Sequence, residues 1–288
     1  MLIIYRFLIN LIFLLSPLIL ILRLLKKKED VGRFKEKFCI FSKKRNSGKL
    51  LWFHGASVGE IQSIIPLIEK LEKNKKIKTI LITSNTLSSS KIFQKLKFKK
   101  TIHQFFPIDT NFLIKKFLNY WKPSAAFFVD SEIWPNTIYN LDKNKIPIIL
   151  INGRITKSSF EKWKKIPSFS KDIFDKINLC FPSSKQSEKY LKQLGVKKIN
   201  FIGNLKFSQS ENERLSKSDN EIKKFIQNKK TWCASSTHDT EELLCGLVHK
   251  HLKKKYNNLL TFIIPRHIER TESIIKELND INLITHTH

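Results

Sequence analysis

At 288 residues, 41% of them hydrophobic, the chain has the length of one large domain or two ordinary ones and enough apolar material for a core. Its formal net charge of +28, from 53 Lys and Arg against 25 Asp and Glu, points to an anionic partner: nucleic acid, an anionic membrane surface or a phosphorylated substrate. The cations are mostly Lys beside Asn and Ile, so compositional habit also accounts for part of the charge, and without zinc-finger spacing, RNA-binding aromatics or an Arg-rich tract no nucleic-acid partner is expected.

The N-terminus is almost wholly apolar from Phe7 to Leu22, about 24 Å as a helix and slightly short of a bilayer core, with Arg6 and Arg23 able to snorkel at its ends. It is not succeeded by a small-residue cleavage site, which argues against a removed signal peptide. Residues 1–28 are therefore expected to be a membrane anchor, either a single span or a monotopic helix in the interface. Lys26-Lys27-Lys28 place the chain beyond residue 28 on the cytoplasmic side. Residues 29–50 read as a polar linker whose basic residues lie near the membrane.

From residue 50 the pattern alternates. Apolar strand-like runs at 50–54, 78–83, 102–107, 124–129, 147–152, 178–182 and 199–203 are separated by helical periodicity, for example Phe112 to Tyr120 and Gln186 to Leu194. Strands alternating with helices predict a doubly wound parallel sheet, with ligands outside the carboxyl ends of the strands. Polar residues fall at those ends: His54 to Glu60, Asp109, Asp130 to Glu132, Asn152-Gly153-Arg154 and Gly203 to Lys206. Residues 208–228 read as an interdomain connection with a short helix. A second alternation then begins, with strands at 231–234, 259–264 and 281–285 and helices reaching Lys255 and Leu278. The four cysteines, Cys39, Cys180, Cys233 and Cys245, form no CxxC pair and no metal-ligand spacing, so free thiols in a reducing compartment are expected, with Cys180 and Cys233 in the core.

Several strand ends carry chemistry. The strand Leu51 to His54 runs into Gly55-Ala56-Ser57-Val58-Gly59-Glu60 and then into a helix with Ile61, Ile64, Ile65 and Ile68 on one face. Glu60 is either a first-turn acid suited to the helix dipole or a functional group. Asp130-Ser131-Glu132-Ile133-Trp134-Pro135 puts two acids beside a Trp. They face solvent, a cation or a ligand, or else Asp130 or Ser131 merely caps the helix begun by Pro135. Lys206 suits a phosphate or carboxylate. Ser235 to Glu242 opens a helix, suiting either phosphate binding or a capping box of Asp239 and Glu242. Arg266 puts a guanidinium at another strand end. The absence of GxGxxG, GxxxxGK[ST], HExxH and GxSxG patterns argues against a classical dehydrogenase, P-loop NTPase, zinc protease or α/β-hydrolase.

Taken in order and spacing, the anchor, His54 to Glu60, Asp130 to Asn136, Asn152-Gly153-Arg154, Gly203 to Phe207, Ser236-Thr237-His238 and Pro265-Arg266-His267 resemble the family of 3-deoxy-D-manno-octulosonic acid (Kdo) transferases. The resemblance implies an α/β fold of GT-B type: two Rossmann-like domains, at 29–207 (acceptor side) and 208–288 (CMP-Kdo side, incomplete), behind the anchor. It implies an inverting, metal-independent glycosyltransferase of lipopolysaccharide biosynthesis, without cofactor. Kdo would pass from CMP-Kdo to a lipid A precursor, lipid IVA, at the cytoplasmic face of the inner membrane.

The same resemblance makes Glu60, the acid of the Ser-Val-Gly-Glu motif, the general base. Asp130 stands where the family has the first Glu of Glu-Thr-Glu-Leu-Trp-Pro, a pattern whose carboxylate supports the transition state, though as a shorter acid, and Lys206 falls on a lysine that also has a transition-state role. Ser57, Gly59, Glu132, Arg154, Ser236, Thr237, His238, Pro265 and Arg266 would contact substrate or donor, Pro265 and Arg266 matching CMP contacts. The family continues for more than a hundred residues with a Gly-Gly-His-Asn…Glu-Pro region not found in these 288, so the chain is expected to be a C-terminally shortened, monomeric member. The alternatives are a non-catalytic remnant that binds anionic lipid, or another nucleotide-sugar transferase.

Overall fold

The computed structural model describes residues 1–96, 98–205 and 219–287, in two compact units, Met1–Gln209 and Ser210–His288. The first unit carries, in order, α1 (Leu2–Leu25), β1 (Leu50–His54), α2 (Val58–Glu72), β2 (Thr79–Ser84), α3 (Leu87–Lys95), β3 (Thr101–Phe105), α4 (Asn111–Trp121), β4 (Ala125–Val129), α5 (Pro135–Lys143), β5 (Ile148–Gly153), α6 (Lys157–Lys164), α7 (Pro167–Phe174), β6 (Leu179–Pro182) and α8 (Lys185–Leu194). Its strands form one parallel sheet in the order β3-β2-β1-β4-β5-β6. This is the Rossmann order, with its switch point between β1 and β4.

Helices cover both faces of the sheet, so β1 and β2 are buried at every position and are apolar almost throughout. One core lies under α4, α5, α7 and α8 around Trp52, Phe117, Trp121 and Phe128; the other lies under α2 around Phe53, Ile61, Ile64 and Ile68. Each such fully buried side chain contributes about 1.5–3 kcal/mol. Polar side chains open the helices: Ser57, Thr86, Thr110, Thr156 and Ser184 each accept a first-turn amide, while Pro135 and Pro167 open α5 and α7.

The second unit carries α9 (Asp219–Ile226), β7 (Lys230–Thr237), α10 (Glu241–Lys253), β8 (Leu259–Pro265) and α11 (Thr271–Asp280), with β7 and β8 paired in parallel.

Several expectations are corrected. Residues 199–203 form no strand; Ile199 makes a single bridge to Cys180 before the chain turns through Gly203 at φ 95°. Residues 281–285 form none either. Asn282 adopts a left-handed conformation, the Leu283 amide returns to the Leu278 carbonyl, and Ile281 and Leu283 pack at Gly246 of α10. An apolar run of five residues does not by itself distinguish a strand from a packed coil. Cys233 is exposed, because its face of the two-stranded sheet is uncovered among the described residues, whereas Cys180 is buried.

Residues 29–50 are no simple linker. A 3-10 turn at Phe34–Phe38 closes the edge of β3: buried Glu36 takes a bidentate Arg33 (2.9 and 3.0 Å), the Phe105 amide (2.9 Å) and the Ser42 hydroxyl. Edge-strand amides need such partners. Arg33 also reaches His103, whose pKa is pushed down to about 3 by burial and by that guanidinium. Capping differs too. Trp134, not Asp130 or Ser131, is the N-cap of α5, and α10 begins at a left-handed Thr240 without a side-chain cap.

Asp109 is a second buried hub. Its carboxylate accepts from the Asn136 amide (3.0 Å), the Thr137 amide (2.9 Å) and hydroxyl (2.5 Å), and the Tyr5 hydroxyl (2.7 Å). Burial pushes its pKa up to about 6 against those donors. Asp109→Ala orphans several buried donors and is expected to destabilise the first unit by roughly 2–4 kcal/mol. Asp172→Ala, which removes only the surface pair to Lys176, should cost under about 0.5 kcal/mol; denaturant melts of the two variants test the contrast.

Candidate active site

The loops after β1 and β4 meet at the switch point, where open α/β sheets bind ligands. His54 ends β1 beside Thr83 of β2 and Phe128 of β4. Its ring is fully buried, with Nδ1 2.9 Å from the Thr83 hydroxyl and Nε2 3.1 Å from Glu132 Oε2. The tautomer with its proton on Nε2 donates to that carboxylate and leaves Nδ1 to accept from Thr83. The Trp134 indole N–H donates to the same Glu132 oxygen at 2.7 Å. Two rings therefore hold Glu132 through one oxygen, and Phe106 stacks on His54 with centroids 4.0 Å apart.

Glu60 sits in the first turn of α2, half-buried. Its Oε2 accepts the Ala56 amide at 2.7 Å and its Oε1 the Ser57 hydroxyl at 2.8 Å, while Ser57 caps the Glu60 amide at 3.3 Å. This is close to a capping box, so the first-turn role expected as one alternative is real. Burial raises the Glu60 pKa; the Ser57 and Ala56 bonds oppose this, and the charges of Glu132 and Asp130 add to it. A carboxyl whose pKa is raised by burial and two acidic neighbours takes a proton more readily than an ordinary glutamate. Each of its oxygens keeps a further lone pair for an incoming donor.

The glycines divide the work. A Cβ on Gly55 would sit 3.2 Å from both Glu60 Cβ and Ile61 Cδ1, so Gly55 makes room for Glu60 itself, whereas a Cβ on Gly59 would meet nothing within 4 Å. Exposed Ser57 and Gly59 leave the mouth of α2 open.

Asp130 is only 7% exposed and adopts a left-handed backbone (φ 64°), as does Asn152 (φ 54°) at the end of β5. Asp and Asn are among the non-glycine residues that enter this region most readily, and both do so here at adjacent strand ends. The two loops are tied together: the Arg154 amide donates to the Asp130 carbonyl at 3.1 Å, and the Ser131 hydroxyl lies 2.8 Å from the Arg154 carbonyl. Asp130, Asn152, Arg154, Lys157, Ser183 and Tyr190 line a cleft of about 400 Å³, into which α6 and α8 open with their N-termini. Its cations and helix mouths suit an anionic group.

Residues 32–209 match the family model described as 3-deoxy-D-manno-octulosonic-acid transferase (kdotransferase). The chain belongs to the Kdo transferase family. It is 36% identical over 269 residues to the 3-deoxy-D-manno-octulosonic acid transferase of Rickettsia bellii, covering 91% of this chain and 63% of that protein. It is 30% identical to the enzyme of the same name from Haemophilus influenzae, covering 76% of this chain and 52% of that one. The chain thus spans between half and two thirds of the length of these Kdo transferase relatives.

Among solved structures, the UDP-GlcNAc 2-epimerase of Neisseria meningitidis matches with a TM-score of 0.57 at 16% identity, over 81% of this chain and 69% of that one. The S. aureus MnaA–UDP complex matches with a TM-score of 0.55 at 14% identity, over 80% and 65%. These likenesses support the GT-B-type fold.

In the second unit, the expected donor-side residues of this Kdo transferase family member share one sheet end, where Thr237 pairs in register with Pro265. Ser236 is left-handed (φ 61°), the Arg266 amide donates to the Thr237 carbonyl at 2.9 Å, and the His238 amide to Glu241 at 2.7 Å. Behind them buried Glu242 takes the Thr237 hydroxyl (2.9 Å) and Arg270 (3.0 Å). Arg270 also reaches Asp239 at 2.6 Å.

Lys206 lies outside the described residues. Sequence reasoning passed over His54 and Trp134 as partners of Glu132. The available signals were a His closing a wholly apolar strand and a Trp two residues after the acid.

Three substitutions test the site. Glu132→Gln removes a charge that raises Glu60, so the Glu60 carboxyl should titrate at lower pH by ¹³C NMR. Gly55→Ala should displace the Glu60 side chain and perturb its resonances, while Gly59→Ala leaves them in place.

Proposed function

We propose that this Kdo transferase family member is a membrane-tethered glycosyltransferase that moves Kdo from CMP-Kdo to a hydroxyl of the lipid A precursor lipid IVA at the cytoplasmic face of the inner membrane, with inversion. The observation that carries this reading is Glu60, held at the mouth of α2 with a raised pKa beside the clamped Glu132. In the proposed step the acceptor hydroxyl attacks the anomeric carbon, and Glu60 takes its proton. The bond from that carbon to the phosphate oxygen breaks, and CMP leaves with the electron pair. Glu132 and Asp130 place negative charge beside a cationic, oxocarbenium-like centre. Arg154 offers positive charge to the donor or acceptor anions, and Lys206 is assigned the same task from the family pattern. Ser236, Thr237, His238, Pro265 and Arg266 are assigned to the CMP moiety. No step runs through a metal, and the chain acts as a monomer.

A base with a raised pKa works only when deprotonated. The rate should therefore fall as pH drops through the Glu60 pKa, at a pH above the ordinary glutamate value of about 4.3. Glu60→Gln should lower transfer from CMP-Kdo to lipid IVA by roughly 10²–10⁴-fold with an unchanged melting curve. Glu132→Gln should move the acid limb to lower pH whatever it does to the maximum rate. Full activity in Glu60→Gln would remove Glu60 from the role. Lipid binding by the unsubstituted chain without CMP binding would instead favour the non-catalytic alternative.

A further inference from the structure

α1 is long and apolar enough to cross a membrane, yet its side chains are not equivalent. Tyr5, Arg6, Ile9, Phe13, Ser16, Leu20, Arg23 and Leu24 are shielded, and their three- and four-residue spacing traces one stripe down the whole helix. The stripe is docked on the first unit at both ends and between. Tyr5 donates to Asp109 at 2.7 Å; Arg6 donates to Asn136 at 3.0 Å and to Asn111 at 3.3 Å. Phe13 meets Phe38 edge-on, ring centroids 6.0 Å apart. Arg23 pairs with Glu29 at 2.6 Å, and the same carboxylate takes Lys37. On the opposite face Ile3, Phe7, Leu14, Leu18 and Leu25 are exposed, Ile3 at 81% and Leu25 at 75%.

A helix spanning the roughly 30 Å hydrocarbon layer is surrounded by lipid or by other membrane segments. For α1 to span while keeping these contacts, the surface bearing Asn111, Asn136 and Glu29 would have to enter the hydrocarbon, where polar groups lose water without replacement. The apolar face instead matches a helix lying at the level of the headgroups, and exposed Lys26, Lys27 and Lys28 beside its end suit anionic phospholipid.

We propose that α1 does not cross the bilayer: it lies in the membrane plane, bolted to the first unit along its docked stripe and immersed in anionic lipid along the Ile3–Phe7–Leu14–Leu18–Leu25 face. This rests on the membrane attachment proposed above and not on the glycosyl-transfer chemistry.

The test is site-directed spin labelling of the full chain on vesicles of phosphatidylethanolamine and phosphatidylglycerol. Nitroxides are placed singly at Ile3→Cys, Phe7→Cys, Leu14→Cys, Leu18→Cys and Leu25→Cys, with Cys233→Ser and Cys245→Ser to remove the exposed and half-exposed thiols. Depth is read from collisions with oxygen against a water-soluble nickel complex. An in-plane helix gives all five sites one shared depth, about 5–10 Å into the headgroup–acyl boundary. A profile deepest at Leu14 and shallow at Ile3 and Leu25 would mean a span and overturn the proposal while leaving membrane attachment intact. Five sites open to the nickel complex would overturn both.

Discussion

The Asp109 carboxylate is the joint on which the first unit hangs. It stands at the end of the β3–α4 connection, binds the first amides of α5 and receives the Tyr5 hydroxyl from a helix more than a hundred residues away in sequence. Because α5 begins at Pro135, fixing its first turn also fixes the end of the loop that carries Asp130, Glu132 and Trp134. One buried acid therefore ties α1, the sheet and the Glu132 loop into a single body. A buried carboxylate is costly, and it is tolerated here because backbone and side-chain donors fill its acceptor positions.

At the switch point the same logic is set up for chemistry. Glu132 spends one oxygen on two ring donors. Glu60 spends one acceptor site of each oxygen on Ala56 and Ser57 and keeps the others. Glu60, Glu132 and Asp130 repel one another, and ring N–H groups, a helix mouth and turn amides offset part of that repulsion. The residual repulsion adds to burial in lifting Glu60. Capping and proton transfer are thus compatible roles for one side chain: the cap fixes the orientation of the carboxyl, and burial with its acidic neighbours sets its affinity for a proton.

Much of this was legible in the sequence. The alternation of apolar runs and helical periodicity located β1 to β8; in the centre of the six-stranded sheet the signal is an unbroken apolar run, the signature of a strand covered on both faces. The motif His54 to Glu60 marked the candidate site, because it lies at the carboxyl end of a central parallel strand, where open α/β sheets bind ligands. What stayed illegible depends on distance or on context. Nothing local ties Tyr5 to Asp109, or Glu36 to the edge of β3. The runs at 199–203 and 281–285 have strand composition but end against packed coil. Cys233 lies within a strand, as its pattern predicts, yet on a face that nothing covers among the described residues. Gly55 and Gly59 bracket the same turn in the sequence, and only the geometry separates the one that accommodates Glu60 from the one that faces open space.

The charge of the chain gains a different meaning once α1 is seen as part of the first unit's surface. In a tethered domain a broad excess of Lys supplies long-range attraction but no orientation, since screening limits it to about 10 Å at ordinary ionic strength. Orientation needs a rigid element with one wet side and one greasy side, and α1 supplies it through Tyr5, Arg6, Phe13 and Arg23. A flexible stalk would let the mouth of α2 face any direction. In the proposed in-plane attachment, the docked helix would hold the Glu60 and Glu132 loops at a set height and angle to the lipid, through the same Asp109 joint that seats α5. For an enzyme whose proposed acceptor hydroxyl is itself fixed in a membrane, that constraint removes rotational freedom before the substrates meet, which is where positioning contributes most to rate.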